Sequence, residues 1–216
     1  MSKLEKNCIK ECLETDLAMP GICTENCCIP ENDILCASMR DTHVEKPKLL
    51  LHSCCGPCST SVIERLAATY KITVFYYNPN IHDTAEYEKR RDTQIDFISK
   101  LNDSDLYEDK IEFTEGEYDT ESFFEVSAGL EDENEGGARC EKCFRLRLER
   151  TAAHAKTHGF DTFATTLTVS PYKNYKVITE IGQDIAFKYG LSYLDMDFKK
   201  KDGYKRSIEL SKQYGL

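Results

Sequence analysis

The sequence predicts an α/β protein in which a parallel sheet carries helices on both faces. Short apolar runs such as 49–51 and 72–77 have the length and residue types of buried strands. Longer stretches with helical periodicity separate these runs, and such alternation is typical of parallel sheets with right-handed crossovers. In sheets of this kind, ligands bind beyond the carboxyl ends of the strands.

Turn and cap residues set the expected boundaries. Ser59 or Thr60 can cap the first helix, Ser170-Pro171 is a helix start, and Gly159 and Gly190 are helix stops. We expect strands over residues 49–51, 72–77, 110–113, 160–166 and 191–194. We expect helices after residue 60 and over residues 83–101, 120–126, 140–158, 170–189 and 208–214, with a loop over 129–137.

Composition limits the class of protein. A chain of 216 residues suits one domain of this type. The net charge of −10 argues against indiscriminate nucleic-acid binding but leaves room for a local basic patch. The apolar runs are too short to cross a bilayer, and no secretion signal stands at the start. We therefore expect a cytoplasmic protein without membrane contact.

The first 45 residues differ from the α/β domain expected over 46–216. They lack sustained periodicity and predict a flexible, cysteine-rich extension. An alternative is a second metal site, because two pairs of cysteines are spaced four apart, as on one face of a helix. The cysteines of this segment are Cys8, Cys12, Cys23, Cys27, Cys28 and Cys36.

Two groups of cysteines lie in the expected α/β domain. Cys54, Cys55 and Cys58 follow the first strand, and Cys140 and Cys143 open a later helix. A helix N-terminus favours thiolate over thiol, and thiolate is the form that binds metals. In a reducing compartment, clustered cysteines are more often metal ligands or redox thiols than disulfides. Four thiolates suit an iron–sulfur cluster or a structural zinc ion.

The residues alone leave these alternatives open. Cys55-Gly56-Pro57-Cys58 is also a Cys-x-x-Cys motif after a strand, as in thioredoxin-like redox proteins, but little sheet precedes it and the chain has no Trp. Structural zinc usually takes two spaced pairs. The adjacent Cys54 and Cys55 suit separate irons of a cluster better than one tetrahedral ion, so the spacing favours a cluster.

Several motifs, in this order, resemble the cobalamin-independent epoxyqueuosine reductases, the QueH family, over about residues 47–216. The motifs are His52–Ser59; Tyr77–Ile81 followed by Glu86, Tyr87 and Arg90; Arg139–Phe144; Thr165–Thr168 with Ser170-Pro171; and Asp197–Lys200 with Gly203-Tyr204. The resemblance implies an adenine-nucleotide α-hydrolase-like (HUP-type) fold. It also implies reduction of epoxyqueuosine in tRNA to queuosine, the last step of queuosine biosynthesis.

The same resemblance implies a metal centre. A [4Fe–4S] cluster is expected on Cys54, Cys55, Cys140 and Cys143, with an additional iron nearby for which Cys58 is a candidate ligand. Members of the family usually end in a Tyr-Cys-Gly-Cys segment with a redox-active cysteine pair. The sequence given stops at Gly215-Leu216, before that segment.

The expected substrate is a tRNA anticodon loop, which proteins read through phosphate contacts and base stacking. Lys173 and Arg145 are the predicted substrate-binding residues, and the helix start at Ser170-Pro171 is a candidate phosphate site. Other basic candidates are Arg147, Arg150, Lys199–Lys201, Lys205 and Arg206, and Tyr76, Tyr77 and Tyr172 are either stacking or core residues.

Other aspects of the chemistry are less defined. The electron donor is unidentified, and His52 is either a proton donor or a packed residue. No Gly-rich ATP motif follows the first strand, so we expect no ATP requirement. The alternative functions are a structural zinc-binding module and an ATP-dependent tRNA thiolation enzyme of related fold.

Overall fold

A computed structural model describes residues 45–216, and its centre is a parallel sheet. The strands are β1 (Lys48–Ser53), β2 (Lys71–Tyr76), β3 (Glu112–Glu115), β4 (Thr162–Thr165) and β5 (Ser192–Tyr193). Within the described residues they pair in the order β3-β2-β1-β4-β5, and every pairing is parallel. The first of the described strands, β1, is therefore the central strand, with β2 on one side and β4 on the other.

Helices connect the strands, as the alternating pattern predicts. They are α1 (Gly56–Leu66), α2 (Thr84–Asp103), α3 (Thr120–Ser127), α4 (Ala138–Thr157), α5 (Tyr175–Tyr189) and α6 (Gly203–Tyr214), with a short 3₁₀ helix at Thr166–Val169. In the described part of the chain, no helix is both long enough and apolar enough for a bilayer crossing.

Alternate side chains of β1 enter two different cores, because successive residues of a strand point to opposite faces. Leu49 and Leu51 belong to a buried cluster with residues of α1 and α2. Leu50 belongs to a second cluster with Leu148 of α4 and Ile178 of α5. The sheet is thus covered on both faces, which confirms the predicted α/β class. The HUP-type assignment stays a prediction.

The start of α1 differs from the prediction. The helix begins at Gly56, with Cys55 at its N-cap position and Pro57 in the first turn. Ser59 is not a cap: its Oγ donates to the Gly56 carbonyl at 2.8 Å, and Thr60 makes the equivalent bond to Pro57 at 3.0 Å. Hydroxyl side chains inside a helix commonly bond to the preceding turn in this way. As a result, Cys58 lies in the first turn of α1.

The predicted helix start at Ser170-Pro171 is wrong. Ser170 Oγ accepts a hydrogen bond from Tyr172 N at 3.3 Å and closes a local turn instead. The helix begins at Tyr175, after Asn174, whose Oδ1 accepts from Lys176 N at 3.1 Å. The proposed phosphate site at a Ser170-Pro171 helix terminus is therefore lost. The predicted stop is confirmed, since Gly190 adopts a left-handed φ of 64°.

The cysteine-rich segment over residues 1–45 lies outside the described residues, apart from Glu45. The flexible extension and the alternative second metal site therefore stay predictions, as does the division of the chain at residue 46.

Candidate metal and redox site

The adjacent cysteines lie at the carboxyl end of the central strand, where parallel sheets bind ligands. Ser53 ends β1, and Cys54 and Cys55 follow it directly. The sulfurs of Cys54, Cys55 and Cys58 all lie within 4.8 Å of one another. Cys54 Sγ is 3.9 Å from Cys55 Sγ and 3.9 Å from Thr166 Oγ1 of the 3₁₀ helix. The structure thus groups three predicted site residues around one point.

Buried side-chain hydrogen bonds hold the turn that carries these cysteines. Ser53 Oγ donates to Gln94 Oε1 of α2 at 2.7 Å, and Gln94 Nε2 donates to Ser59 Oγ of α1 at 3.0 Å. On the other side, Asn78 Nδ2 donates to the Ser53 carbonyl at 3.0 Å. The turn is therefore fixed to α1, to α2 and to the segment after β2.

The pKa values of these three thiols are shifted in different directions. Hydrogen bonds from Cys55 and Cys58, followed by the positive charges of Arg147 and Lys173, hold the pKa of Cys54 well below its usual range. Donation to Cys54 raises the pKa of Cys55 to about 12. Hydrogen bonds to Cys54 and Cys55 likewise raise the pKa of Cys58. Without metal, Cys54 is therefore the thiol of this group whose surroundings most favour the thiolate.

The second cysteine pair lies near the N-terminus of α4. Cys140 and Cys143 line a cavity of about 150 Å³, which Arg147 and Lys173 also line. Gly136 N donates to Cys140 Sγ at 3.2 Å. The cavity beside this pair is lined mainly by apolar surface, and the carboxylates of Glu135 and Glu141 line it together with the two cations.

The two cysteine groups contact the same buried cluster but do not form one compact set. Cys54 and Cys140 pack against the same buried cluster. Within residues 45–216, however, no set of three or more metal-ligand atoms within 4.8 Å includes Cys140 or Cys143. Arg147 and Lys173 are common to both cysteine groups. They line the cavity of the second pair, and their positive charges act on Cys54 of the first group.

Arg147 is a site residue whose position the sequence analysis missed. It was predicted only as a basic candidate for tRNA, yet its residue surface is 3% exposed. Its Nη2 donates to Asn78 Oδ1 at 2.6 Å, and its Nε donates to His52 Nε2 at 3.3 Å. The signal was available, because Arg147 falls on the apolar face that Phe144 and Leu148 define on α4.

His52 is a buried, neutral residue. Burial, followed by the charge of Arg147, lowers the pKa of His52 to about 3. His52 Nε2 lies 3.3 Å from Arg147 Nε and 3.2 Å from the Tyr77 carbonyl oxygen, and Nδ1 lies 2.8 Å from Thr165 Oγ1. This arrangement favours the packed interpretation of His52 over the proton donor.

The predicted substrate residues occupy different places. Lys173 lines the cysteine cavity, together with Tyr172, which is 75% exposed. Arg145 is exposed on α4, 3.6 Å from Asp184 of α5, and lines a separate surface groove. Tyr77 is completely buried, as is Tyr76, so these two are core residues.

Comparison with known proteins places the chain in a family. The family model described as "Epoxyqueuosine reductase QueH" matches residues 49–216. The chain belongs to the QueH family. Both cysteine groups and Arg147 fall inside the range that matches the QueH model.

Several QueH relatives align with most of the chain, and each is named epoxyqueuosine reductase QueH. The protein from Staphylococcus epidermidis is 42% identical over 80% of this chain and 72% of its own length. The relative from Streptococcus pyogenes is 41% identical over 79% of this chain and 66% of its own length. The relative from Thermotoga maritima is 34% identical over 78% of this chain and 83% of its own length.

The residues of this QueH family member fit a thiolate-bound metal group. Sulfur is the only ligand type in the Cys54, Cys55 and Cys58 group, and thiolates bind iron–sulfur clusters and zinc. Two tetrahedral zinc–sulfur bonds of about 2.3 Å place their sulfurs roughly 3.8 Å apart. The 3.9 Å distance between the Cys54 and Cys55 sulfurs therefore suits a single zinc ion as well as a cluster. A measurement of metal content distinguishes these two alternatives.

Proposed function

We propose that this chain is an epoxyqueuosine reductase that uses a [4Fe–4S] cluster bound by Cys54, Cys55, Cys140 and Cys143. Its substrate is epoxyqueuosine in the anticodon loop of a tRNA, and its product is queuosine. The observation that carries the proposal is the grouping of three sulfurs at the end of the central strand in a chain of the QueH family. The cavity of the second pair provides the remaining two sulfurs.

The reaction needs reducing equivalents and protons. Both C–O bonds of the epoxide break, a C=C bond forms, and the oxygen leaves as water after uptake of two electrons and two protons. When bound, a cluster supplies electrons one at a time, and an additional iron supplies a Lewis acid for oxygen. We assign Cys58 to that additional iron, because its sulfur lies within 4.8 Å of the Cys54 and Cys55 sulfurs. The electrons come from an external one-electron donor that is not identified.

Substrate binding is assigned to the mouth of the cysteine cavity. Lys173 combines a position on this cavity with a positive charge, which suits a phosphate oxygen of tRNA. The exposed Tyr172 ring on the same cavity offers a stacking surface for a base. Arg145 lies outside this cavity, so we assign it at most a contact with a more distant phosphate. We expect the reaction in the cytoplasm and without ATP.

Anaerobic purification and reconstitution test the metal. The expected protein is brown, with about four irons and four sulfides per chain from the cluster formula, and with about one further iron at the additional site. Cys54→Ala and Cys140→Ala should both lose the cluster, whereas Cys58→Ser should keep it and lose only additional iron. A colourless protein with one zinc would support the structural module instead.

Nucleoside analysis tests the reaction. tRNA that carries epoxyqueuosine is incubated anaerobically with the reconstituted protein and dithionite, then digested and examined by mass spectrometry. We expect queuosine, at 16 Da less than the epoxide because one oxygen is lost, with about the same yield when ATP is omitted. Sulfur incorporation that requires ATP would support the thiolation enzyme. Lys173→Gln should raise KM for tRNA more than it lowers kcat, with Lys156→Gln at the far end of α4 as the control.

A further inference from the structure

Arg147 is a buried cation without a carboxylate partner. Within residues 45–216, no Asp or Glu oxygen lies within 4.0 Å of its guanidinium, although other arginines have such partners. Its side-chain partners are neutral: the Asn78 amide oxygen and the His52 ring nitrogen. A buried charge without a counterion is strongly unfavourable, so this arrangement indicates that an anion belongs nearby.

Cysteine thiolates can carry the missing negative charge. Arg147 lines the same cavity as Cys140 and Cys143, and the carboxylates of Glu135 and Glu141, which also line it, form no ion pair with the guanidinium. The charge of Arg147 also acts on Cys54. Arg90, the other arginine that acts on the first cysteine group, is paired with Glu86 at 2.7 Å. Arg147 is therefore a buried cation without a salt-bridge partner, which lines the cavity of Cys140 and Cys143 and acts electrostatically on Cys54.

We infer that Arg147 is a positioning residue whose charge balances the thiolate-bound cluster and raises its reduction potential. This inference rests on the proposed function. Four thiolates give the centre a net negative charge, and reduction adds one more. A fixed positive charge in a buried site stabilises the reduced form more than the oxidised form, and solvent screens it little.

The neutral partners of Arg147 are part of this arrangement. Asn78 and His52 orient the guanidinium through two hydrogen bonds but do not cancel its charge. A carboxylate at position 78 would still accept from the guanidinium and would neutralise it. Asn78→Asp therefore reduces the field of Arg147, and it also removes the hydrogen bond that Asn78 Nδ2 donates to the Ser53 carbonyl.

The test is a redox titration of reconstituted proteins, followed by absorbance and electron paramagnetic resonance. We expect Arg147→Gln and Asn78→Asp to shift the reduced-to-oxidised ratio at a fixed potential about tenfold toward the oxidised form. For a one-electron couple, this corresponds to a midpoint about 59 mV lower. Arg147→Lys should stay close to wild type because it keeps the charge. Arg145→Gln makes the same charge change on an exposed part of the same helix, and its midpoint should not move.

A second readout does not involve electron transfer. Reconstitution should raise Tm in the wild-type protein, and the rise should be smaller in Arg147→Gln, because the cluster and the cation stabilise each other. Unchanged midpoints in both Arg147→Gln and Asn78→Asp, or an equal decrease in Arg145→Gln, would overturn the inference. If Arg147→Gln takes up no cluster, the Arg147→Lys protein decides the question. Cluster uptake by Arg147→Lys would support the inference, and a lack of cluster uptake by this variant would contradict it. A wild-type protein that binds no cluster instead refutes the proposed function.

Discussion

Ser53 and Gln94 are joined by a buried 2.7 Å hydrogen bond between Oγ and Oε1. The bond ties the last residue of the central strand to α2, and the amide of Gln94 continues to Ser59 of α1. The adjacent cysteines occupy the turn between these two serines. Their geometry therefore depends on a side chain that touches no sulfur itself.

Gln94→Leu should loosen this turn. The substitution removes two buried hydrogen bonds, one to the Ser53 hydroxyl and one to the Ser59 hydroxyl, so we expect a loss of about 1–3 kcal/mol in the free energy of unfolding. Iron retention after gel filtration should fall below that of wild type. Urea denaturation and iron analysis measure the two effects. Gln213→Leu, at an exposed position of α6, should change both only slightly. A stable Gln94→Leu protein with full iron would show that the turn needs no such support.

Cys54 should be the most reactive thiol of its group in metal-free protein. Its pKa lies well below the usual range, whereas those of Cys55 and Cys58 are raised, so Cys54 carries the thiolate. A short pulse of iodoacetamide at pH 7, followed by peptide mass mapping, should find label on Cys54 before the other two. In the Cys55→Ala/Cys58→Ala protein, which loses both hydrogen-bond donors to Cys54, labelling of Cys54 should slow. Equal labelling of all three cysteines would contradict the assigned charge.

His52 should make metal-free protein less stable in acid. Its pKa is about 3 in the folded chain, against an ordinary value of 6.5. Between these values the unfolded state binds a proton that the folded state does not, so stability falls as pH decreases from 6.5 toward 3. The slope from this one group is at most about 1.4 kcal/mol per pH unit.

The comparison with His52→Gln isolates this effect. Glutamine can accept from Arg147 and donate from its amide, but it does not titrate in this range. Urea unfolding of both metal-free proteins at pH 7, 6 and 5 should show a steeper loss for wild type. Parallel curves would mean that His52 is protonated in the folded protein or contributes nothing.

Gly203→Ala should destabilise the start of α6. A Cβ at this position would lie 1.8 Å from the Phe198 carbonyl oxygen and 2.8 Å from Arg65 Nη2. The backbone must move, and we expect a cost of about 3 kcal/mol. Gly129→Ala is the matched comparison: its φ is +76° and nothing lies within 4 Å of the added atom. The free energy of unfolding of that variant should fall by only about 1–2 kcal/mol, because alanine is strained at a positive φ. Thermal unfolding measures both variants.

The sheet and the cysteine groups could be predicted from sequence because their signals are local. The apolar runs at β1 and β2 have the strand length, and Gly and Pro residues mark where they end. The start of α5 could not be placed from the same kind of signal. Ser170-Pro171 has the residue types of a helix start, but Ser170 Oγ is used in a turn, and Asn174 competes successfully as the cap.

The surroundings of the sulfurs were harder to predict, because they depend on packing between distant elements. His52 points toward α4 only because it shares a face of β1 with Leu50, and Arg147 meets it only after α4 has packed on the sheet. A charged residue on an apolar helix face is the sequence signal for such a contact. Residue type alone placed Arg147 among the surface cations, and burial shows that it is not one of them.

The position of β1 in the middle of the sheet has a consequence for protein synthesis. β1 leaves the ribosome early, yet one of its two neighbours, β4, follows α4 in the chain. In a nascent chain that has not reached Thr162, the edge of β1 that pairs with β4 is therefore still open. Cys54, Cys55 and Cys58 follow this strand in the chain. By the time β4 closes that edge, Cys140 and Cys143 have already been translated, so completion of the sheet coincides with the presence of every cysteine assigned to the proposed cluster.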